Sequence, residues 1–217
     1  MEDLKEELAA AARRLAGEGL CPGTAGNLSA RADELVVITP TGAVLAELQG
    51  HEVAVVKLDG TQVDGPLAPT SEIELHLGVY QRYGAGAVVH THAPVATAIA
   101  CVLEDELPAV HYQMLVLGGA VKIAPYRTFG TPELAEVVLD ALEDHTAALM
   151  ANHGAIAFGA DIAGAVDNTM LLEWACSVYW RAAALGTPRV LDQEQLDDVV
   201  RSFVERGYGK KQVEGGG

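Results

Sequence analysis

Apolar residues recur with helical spacing in five segments of the chain. In the first segment, residues 2–18, the apolar face is formed by Leu4, Leu8, Ala12 and Leu15. Four further helices are predicted over residues 72–83, 94–103, 132–142 and 162–184. Ser71 and Glu74 have the spacing of a capping box, which predicts that the second helix starts beside Ser71.

Short apolar runs bounded by glycine, proline and polar residues predict the strands. They lie at residues 28–31, 35–38, 53–58, 87–92, 121–124 and 147–150. Strands and helices are interspersed without a strict βαβ rhythm, which favours a mixed or antiparallel sheet flanked by helices. We expect one α/β domain over residues 1–206, followed by a mobile polar tail over residues 207–217.

Composition and charge limit the kinds of partner that the protein can bind. The chain has 217 residues, half of them hydrophobic, which suits one domain with a sizeable core. Its formal net charge of −16 would repel nucleic acid and anionic membranes, so we expect neither as a partner. The longest apolar runs are far shorter than the ~20 residues of a membrane-spanning helix. Three widely spaced cysteines and an acidic start, unlike a secretory leader, predict a cytoplasmic protein.

Three histidines have the pattern of a metal site. His90 and His92 alternate in a predicted strand, so both side chains project from the same face. His153 follows another predicted strand and precedes Gly154. Three imidazoles with an open fourth position are typical ligands of catalytic zinc. A bare H-x-H pair is as often two ordinary strand histidines, but the third histidine favours a metal.

The other four histidines carry weaker signals. His51 opens a strand, His76 lies on a helix and His145 is in a polar turn. Each is more often a solvated or hydrogen-bonded side chain than a metal ligand. The role of His111 stays open because this residue adjoins Tyr112.

Three loops combine small residues, hydroxyl groups and accessible backbone N–H groups. They are Gly23–Asn27, Thr41-Gly42 and Thr70-Ser71. Ser71 precedes a predicted helix, where unpaired N–H groups and the helix dipole favour an anion. Each loop alone is more often an ordinary turn. Together with the histidines, the three loops predict a phosphate site that needs neither lysine nor arginine.

These motifs together resemble the class II aldolase and adducin family. The matching segments occur in family order up to about residue 160. They are residues 23–27, Ser29, Arg31, 39–42, 70–72, 89–93, 111–112, 118–119, 124–126, 128–131 and 152–154. The resemblance implies a single-domain three-layer α/β/α sandwich with a mostly antiparallel central sheet. It also implies a homotetramer with active sites at the subunit interfaces.

The same resemblance implies roles for individual residues. His90, His92 and His153 would hold one Zn²⁺ per subunit, and Glu72 would be both a metal ligand and the acid/base residue. Tyr112 would reach the neighbouring subunit's site and handle a proton on the hydroxyl or aldehyde oxygen. Phe129 would line the aldehyde side. The residues that would bind the substrate phosphate are Gly26, Asn27, Thr41, Gly42, Thr70 and Ser71.

The implied activity is aldol cleavage of a ketose 1-phosphate, of the L-fuculose 1-phosphate type, to dihydroxyacetone phosphate and a short aldehyde. Sibling activities stay open: 5-deoxypentulose-phosphate aldolase, methylthioribulose-1-phosphate dehydratase and ribulose-phosphate 4-epimerase. The epimerases carry an acidic residue near His111-Tyr112-Gln113, which this chain lacks. Adducin-like interaction modules lack an intact metal triad, and a Schiff-base aldolase using Lys122 would leave the histidines unexplained.

Overall fold

A computed structural model describes residues 1–206 of the chain. Within them a single sheet has the strand order β4-β3-β2-β1-β5-β9-β8-β7-β6. The pairings are antiparallel except for the parallel pair β7–β8. The strands are β1 (Asn27–Ala32), β2 (Leu35–Ile38), β3 (Ala54–Lys57), β4 (Gln62–Asp64), β5 (Ala87–Thr91), β6 (Glu106–Leu107), β7 (Val121–Ala124), β8 (Ala147–Met150) and β9 (Gly154–Gly159).

The described residues also form six helices. They are α1 (Glu2–Gly17), α2 (Ile73–Tyr83), α3 (Pro94–Ala100), α4 (Pro132–Ala141), α5 (Ile162–Leu185) and α6 (Gln193–Arg206). Short 3₁₀ turns lie at Gly50–Glu52 and Tyr112–Leu117. The prediction of a mixed α/β fold with one mostly antiparallel sheet is confirmed. Among residues 1–206, no helix is long and apolar enough to cross a membrane.

Hydrophobic side chains cover both faces of the sheet. On β2, Val37 joins a cluster that includes Leu8 of α1 and Ala165 of α5. The neighbouring Val36 points the other way, into a cluster with Val138 of α4. Because both faces are buried, central strands such as β8 read as continuous apolar runs rather than alternating ones.

The start of α2 differs from the prediction. The helix begins at Ile73, and Glu72 occupies the N-cap position without a side-chain capping bond. The predicted capping box of Ser71 and Glu74 is therefore wrong by one residue, and Ser71 is exposed. The Glu72 N–H instead donates to the Thr70 hydroxyl at 3.3 Å, which leaves the Glu72 carboxylate free to turn towards the histidines.

Three strands and one helix were not predicted as separate elements. β9 was missed because it begins and ends with glycine, a pattern that indicates a turn as readily as a strand. β4 and β6 have three and two residues, too short for a periodicity. α6 is not among the five helices predicted from the apolar periodicity. The expected mobile tail, residues 207–217, lies outside the described residues.

Candidate metal centre

The three predicted histidines converge at one end of the central strands. His90 lies in β5, His92 immediately after it, and His153 in the turn between β8 and β9. The Nε2 atoms of His90 and His92 are 3.0 Å apart. Ring centroids in all three pairs are 4.9–5.0 Å apart, and one potential ligand atom from each ring lies within 4.8 Å of the others. The three rings therefore surround one point.

The hydrogen bonds of His90 indicate which ring nitrogen could bind a metal. Its Nδ1 lies 2.9 Å from the carbonyl oxygen of Ala155, an acceptor, so Nδ1 carries the proton. The Nε2 lone pair therefore points towards the other two rings. In metal-binding histidines, a hydrogen bond of this kind from the other ring nitrogen commonly fixes the orientation of the ring.

Burial favours the neutral form of all three rings. It lowers the pKa of His90 to about 4 and is also the main cause of the lowered pKa values of His92 and His153. Neutral imidazole is the form that binds metals. At neutral pH these side chains are ready to act as ligands without first losing a proton.

Glu72 completes the group. Its Oε2 lies 3.2 Å from His90 Nε2, and its Oε1 lies 3.5 Å from His153 Nε2. Burial raises the pKa of this carboxyl group, but His90, Asn27 and His153 outweigh it and the net shift is downward. Oε1 is buried without a hydrogen-bond partner. An orphaned carboxylate oxygen beside three imidazole nitrogens fits a Zn²⁺ ion, which accepts nitrogen and oxygen ligands.

Two glycines allow the backbone to lie close to the segment that carries His90 and His92. A Cβ on Gly154 would lie 2.3 Å from the carbonyl oxygen of Thr91, which stands between His90 and His92. A Cβ on Gly26 would lie 2.9 Å from the carbonyl oxygen of His90, and Gly26 has a positive φ of 85°. The absence of a side chain at Gly154 lets β9 lie close to β5.

A carboxylate on α5 holds the segment that follows His92. The two oxygens of Glu173 accept hydrogen bonds from the N–H groups of Val95 and Ala96, at 3.0 and 2.8 Å. These N–H groups belong to the first turn of α3, where an anion is favoured. The contact fixes α3 relative to α5. Because α3 begins two residues after His92, the contact also fixes the segment that follows His92. Nothing in the sequence pattern pointed to Glu173.

The three predicted phosphate loops line one cavity of about 270 Å³ beside the histidines. All six predicted phosphate residues are on its wall: Gly26, Asn27, Thr41, Gly42, Thr70 and Ser71. Glu72, His92 and His153 also line this cavity, as does Phe129, which has 68% of its surface exposed. His90 is fully buried behind this wall.

Tyr112 lies elsewhere on the chain. It begins the 3₁₀ turn Tyr112–Leu117 and is half exposed, with its ring 4.5 Å from that of His111 and 6.4 Å from that of Phe203. Tyr112 is not one of the described residues that line the cavity. One chain therefore does not bring this predicted residue to the histidines.

His76, predicted to be a solvated or hydrogen-bonded side chain, is hydrogen-bonded. It is fully buried, with Nε2 2.5 Å from Asn27 Oδ1 and Nδ1 2.7 Å from Ser29 Oγ. Burial lowers its pKa to about 3. The available signal was its spacing of four residues from Glu72, which places both on one face of α2.

Comparison with known proteins supports a common origin for this arrangement. A 5-deoxy-D-ribulose 1-phosphate aldolase of Bacillus thuringiensis is 36% identical over 210 residues, covering 95% of this chain and 97% of that protein. A 5-methylthioribulose-1-phosphate/5-deoxyribulose-1-phosphate aldolase of Rhodospirillum rubrum is 38% identical, covering 95% and 92%. A solved structure of an L-fuculose 1-phosphate aldolase superposes with a TM-score of 0.89 at 35% identity, covering 94% of this chain and 97% of that chain.

The family description "Class II Aldolase and Adducin N-terminal domain" matches residues 6–180. That range includes all three histidines, Glu72 and the three loops of the cavity. The match covers most of the chain and agrees with the relatives in sequence and in fold. The chain belongs to the class II aldolase and adducin family.

Proposed function

We propose that this protein is a zinc-dependent aldolase that reversibly cleaves a ketose 1-phosphate between C3 and C4. The products are dihydroxyacetone phosphate and a short aldehyde. The observation that carries this proposal is the cavity in which small polar loops meet three histidines and Glu72. The general class, a lyase of the class II aldolase type, follows from the family and the relatives.

The phosphate side of the cavity suits an acidic protein. Among the described residues, its wall contains no lysine or arginine. Hydroxyl groups of Thr41, Thr70 and Ser71, the Asn27 amide and the N–H groups around Gly26 and Gly42 would hold the phosphate. The wall includes the start of α2, where the helix dipole attracts an anion. This arrangement provides local donors despite a net charge of −16.

The residues around the histidines suit aldol cleavage. His90, His92 and His153 would hold the zinc ion, which supplies Lewis-acid stabilisation of the negative charge that develops as C3–C4 breaks. Glu72 would then move a proton at C3, because its carboxylate lies between the histidines and the phosphate loops. Phe129 would contact the aldehyde end.

The proposal includes the expected homotetramer with shared active sites. Tyr112 would manage the proton on the C4 oxygen of a neighbouring subunit's substrate, which accounts for its distance from the cavity of its own chain. Large apolar side chains exposed on the surface support subunit contacts: Val102, Val116, Trp174 and Trp180. Hydrophobic clusters on both faces of the sheet support the three-layer sandwich.

The proposed location is the cytoplasm, and the proposed domain spans residues 1–206. Cys21, Cys101 and Cys176 are all unpaired. Free thiols in this number suit a reducing compartment.

A second candidate concerns the substrate. Relatives that act on 5-deoxyribulose 1-phosphate match 95% of this chain, so this five-carbon ketose competes with L-fuculose 1-phosphate. Both would give dihydroxyacetone phosphate and differ in the aldehyde. The smaller substrate would release acetaldehyde, for which less of the cavity edge near Phe129 is needed.

A coupled assay for dihydroxyacetone phosphate tests the function. The zinc-loaded protein is given fuculose, rhamnulose, ribulose, 5-deoxyribulose and 5-methylthioribulose 1-phosphates at equal concentrations. Cleavage of any of them supports the aldolase, and their kcat/KM values rank the aldehydes. If the products retain the full carbon skeleton, the dehydratase or epimerase activity replaces this proposal.

A further inference from the structure

Five polar side chains alternate between α2 and β1 behind the metal centre. Glu72, His76 and Tyr80 are four residues apart and form one row on the α2 side. Asn27 and Ser29 are two residues apart and lie on one face of β1. Four helical residues advance about 6 Å and two strand residues about 6.6 Å, so the two rows stay in step.

Each side chain in this series hydrogen-bonds to the next. Tyr80 OH is 2.6 Å from Ser29 Oγ, which is 2.7 Å from His76 Nδ1. His76 Nε2 is 2.5 Å from Asn27 Oδ1, and Asn27 Nδ2 is 2.9 Å from Glu72 Oε2. All five residues are buried. We call Tyr80, Ser29, His76 and Asn27 the hydrogen-bond chain.

The direction of the chain is set at the Glu72 end. A carboxylate oxygen only accepts hydrogen bonds, so Asn27 Nδ2 donates to Glu72 Oε2 and the Asn27 carbonyl oxygen faces His76. The proton of His76 must therefore lie on Nε2, where it is donated to that carbonyl oxygen. Nδ1 of His76 is left to accept from the Ser29 hydroxyl, and the Ser29 oxygen is left to accept from Tyr80 OH.

We propose that His76 is a positioning residue that orients the Asn27 amide with its NH₂ group towards Glu72 and the phosphate cavity. This role rests on the proposed aldolase function. The opposite orientation would place the Asn27 carbonyl oxygen against the Glu72 carboxylate, so two acceptors would face each other. It would also turn an acceptor towards the substrate phosphate. His76 prevents this without contacting substrate.

Nitrogen NMR of the histidine rings tests the direction without any measurement of activity. In ¹⁵N-histidine-labelled protein, His76 is assigned by loss of its signals in His76→Gln. We expect the neutral tautomer with the proton on Nε2, both with and without zinc. A proton on Nδ1 would reverse the chain and overturn the proposal.

Two variants of similar polarity separate positioning from packing. Gln at position 76 places its amide nitrogen near the former Nε2 and retains a donor for Asn27. Asn at position 76 reaches only the Nδ1 position, so it retains a partner for Ser29 but none for Asn27. We expect His76→Asn to weaken inorganic phosphate binding and lower kcat by about tenfold or more each, and His76→Gln to stay within about threefold of the parent.

Zinc content and urea unfolding are measured for both variants, with the exposed His51→Asn as a control. Equal losses in the two variants, or none in either, would overturn the proposal. If no ketose phosphate is cleaved by the parent protein, the proposed function fails. The phosphate titration and the tautomer then still decide the role of His76. If His76→Asn does not fold, the tautomer in the parent protein decides it.

Discussion

Two buried polar clusters lie side by side and differ in how completely their atoms are paired. The open cluster consists of His90, His92, His153 and Glu72; the closed cluster consists of Ser29, His76 and Tyr80, and Asn27 joins the two. In the closed cluster each side-chain polar atom has a partner. In the open cluster Glu72 Oε1 has none, and the Nε2 atoms of His90 and His92 face each other.

This difference in pairing distinguishes a cluster that can bind a ligand from one that supports the fold. A buried polar atom without a partner destabilises the fold by about 1–3 kcal/mol, so such atoms are retained where a ligand satisfies them. The open cluster has this character and the closed cluster does not. The following changes test that distinction, beginning with the largest expected effect.

Removal of the metal would abolish the function of the open cluster alone. We expect about one zinc per chain, and a chelator should reduce cleavage to the uncatalysed background, because Lewis-acid stabilisation is worth several kcal/mol. Added zinc should restore it. His153→Ala should reproduce the loss in elemental analysis, whereas His145→Ala should not. Full activity in metal-free protein would contradict the mechanism.

Glu72→Gln would keep the shape of the open cluster and remove its charge. We expect turnover to fall by about 10²–10⁴-fold, as for loss of a general acid or base, while zinc remains bound. Glu74→Gln, on the exposed side of α2, serves as the control. The comparison uses kcat and zinc content of the same preparations. Retained turnover would remove Glu72 from its proposed role.

Acid should destabilise both clusters in the metal-free protein. The pKa values of His90 and His76, lowered to about 4 and about 3 by burial, lie below the ordinary value of 6.5. The unfolded chain therefore binds more protons between pH 6.5 and 4, and the free energy of unfolding falls by about 3 kcal/mol per histidine over that range.

The measurement is urea unfolding as a function of pH. His76→Gln should show a shallower dependence because it removes one titrating group. Stability that does not change between pH 6.5 and 4 would contradict the burial of neutral histidines.

Gly154→Ala would disturb the open cluster through its backbone. The new Cβ would lie 2.3 Å from the Thr91 carbonyl oxygen, so β5 or β9 must move. We expect a loss of roughly 1–3 kcal/mol in the free energy of unfolding and weaker zinc binding. Gly17→Ala, at the end of α1 with open space around it, should be neutral or slightly stabilising. If Gly154→Ala lowers the free energy of unfolding no more than Gly17→Ala does, β5 and β9 tolerate the extra atom.

Tyr80→Phe would open the closed cluster at its far end, with the smallest effect. We expect a loss of about 1 kcal/mol, the net value of one hydrogen bond, with zinc content unchanged. Ser29→Ala should cost more because it leaves both His76 Nδ1 and the Tyr80 hydroxyl without a partner. In the double variant the losses should be less than additive, measured by urea unfolding. Full additivity would indicate that the two hydroxyl groups act independently.

The three histidines of the open cluster could be brought together from sequence because their signal is local and chemical, whereas the role of Glu72 was implied only by the family resemblance. His90 and His92 alternate on one strand, and His153 follows a comparable apolar run. The phosphate loops carried a similar signal in their small and hydroxyl residues. The apolar periodicity also predicted the five principal helices, with boundaries within a few residues.

The remaining features depend on contacts between distant segments. The partners of His76 lie 47 and 49 residues away in β1, so its position alone could not distinguish a buried polar contact from a solvated one. Glu173 acts on N–H groups more than 70 residues before it. The start of α2 was misplaced because Glu72 turns its carboxylate to the histidines instead of continuing a conventional cap.

The position of β5 in the sheet has a consequence for the evolution of substrate choice. β5 is hydrogen-bonded to β1 on one side and β9 on the other, so His90 cannot shift without disturbing three strands. Phe129 lies in the connection between β7 and α4, and most of its surface is exposed. Under the proposed function, mutation at this loop would change which aldehyde is accepted while His90 stays fixed in β5.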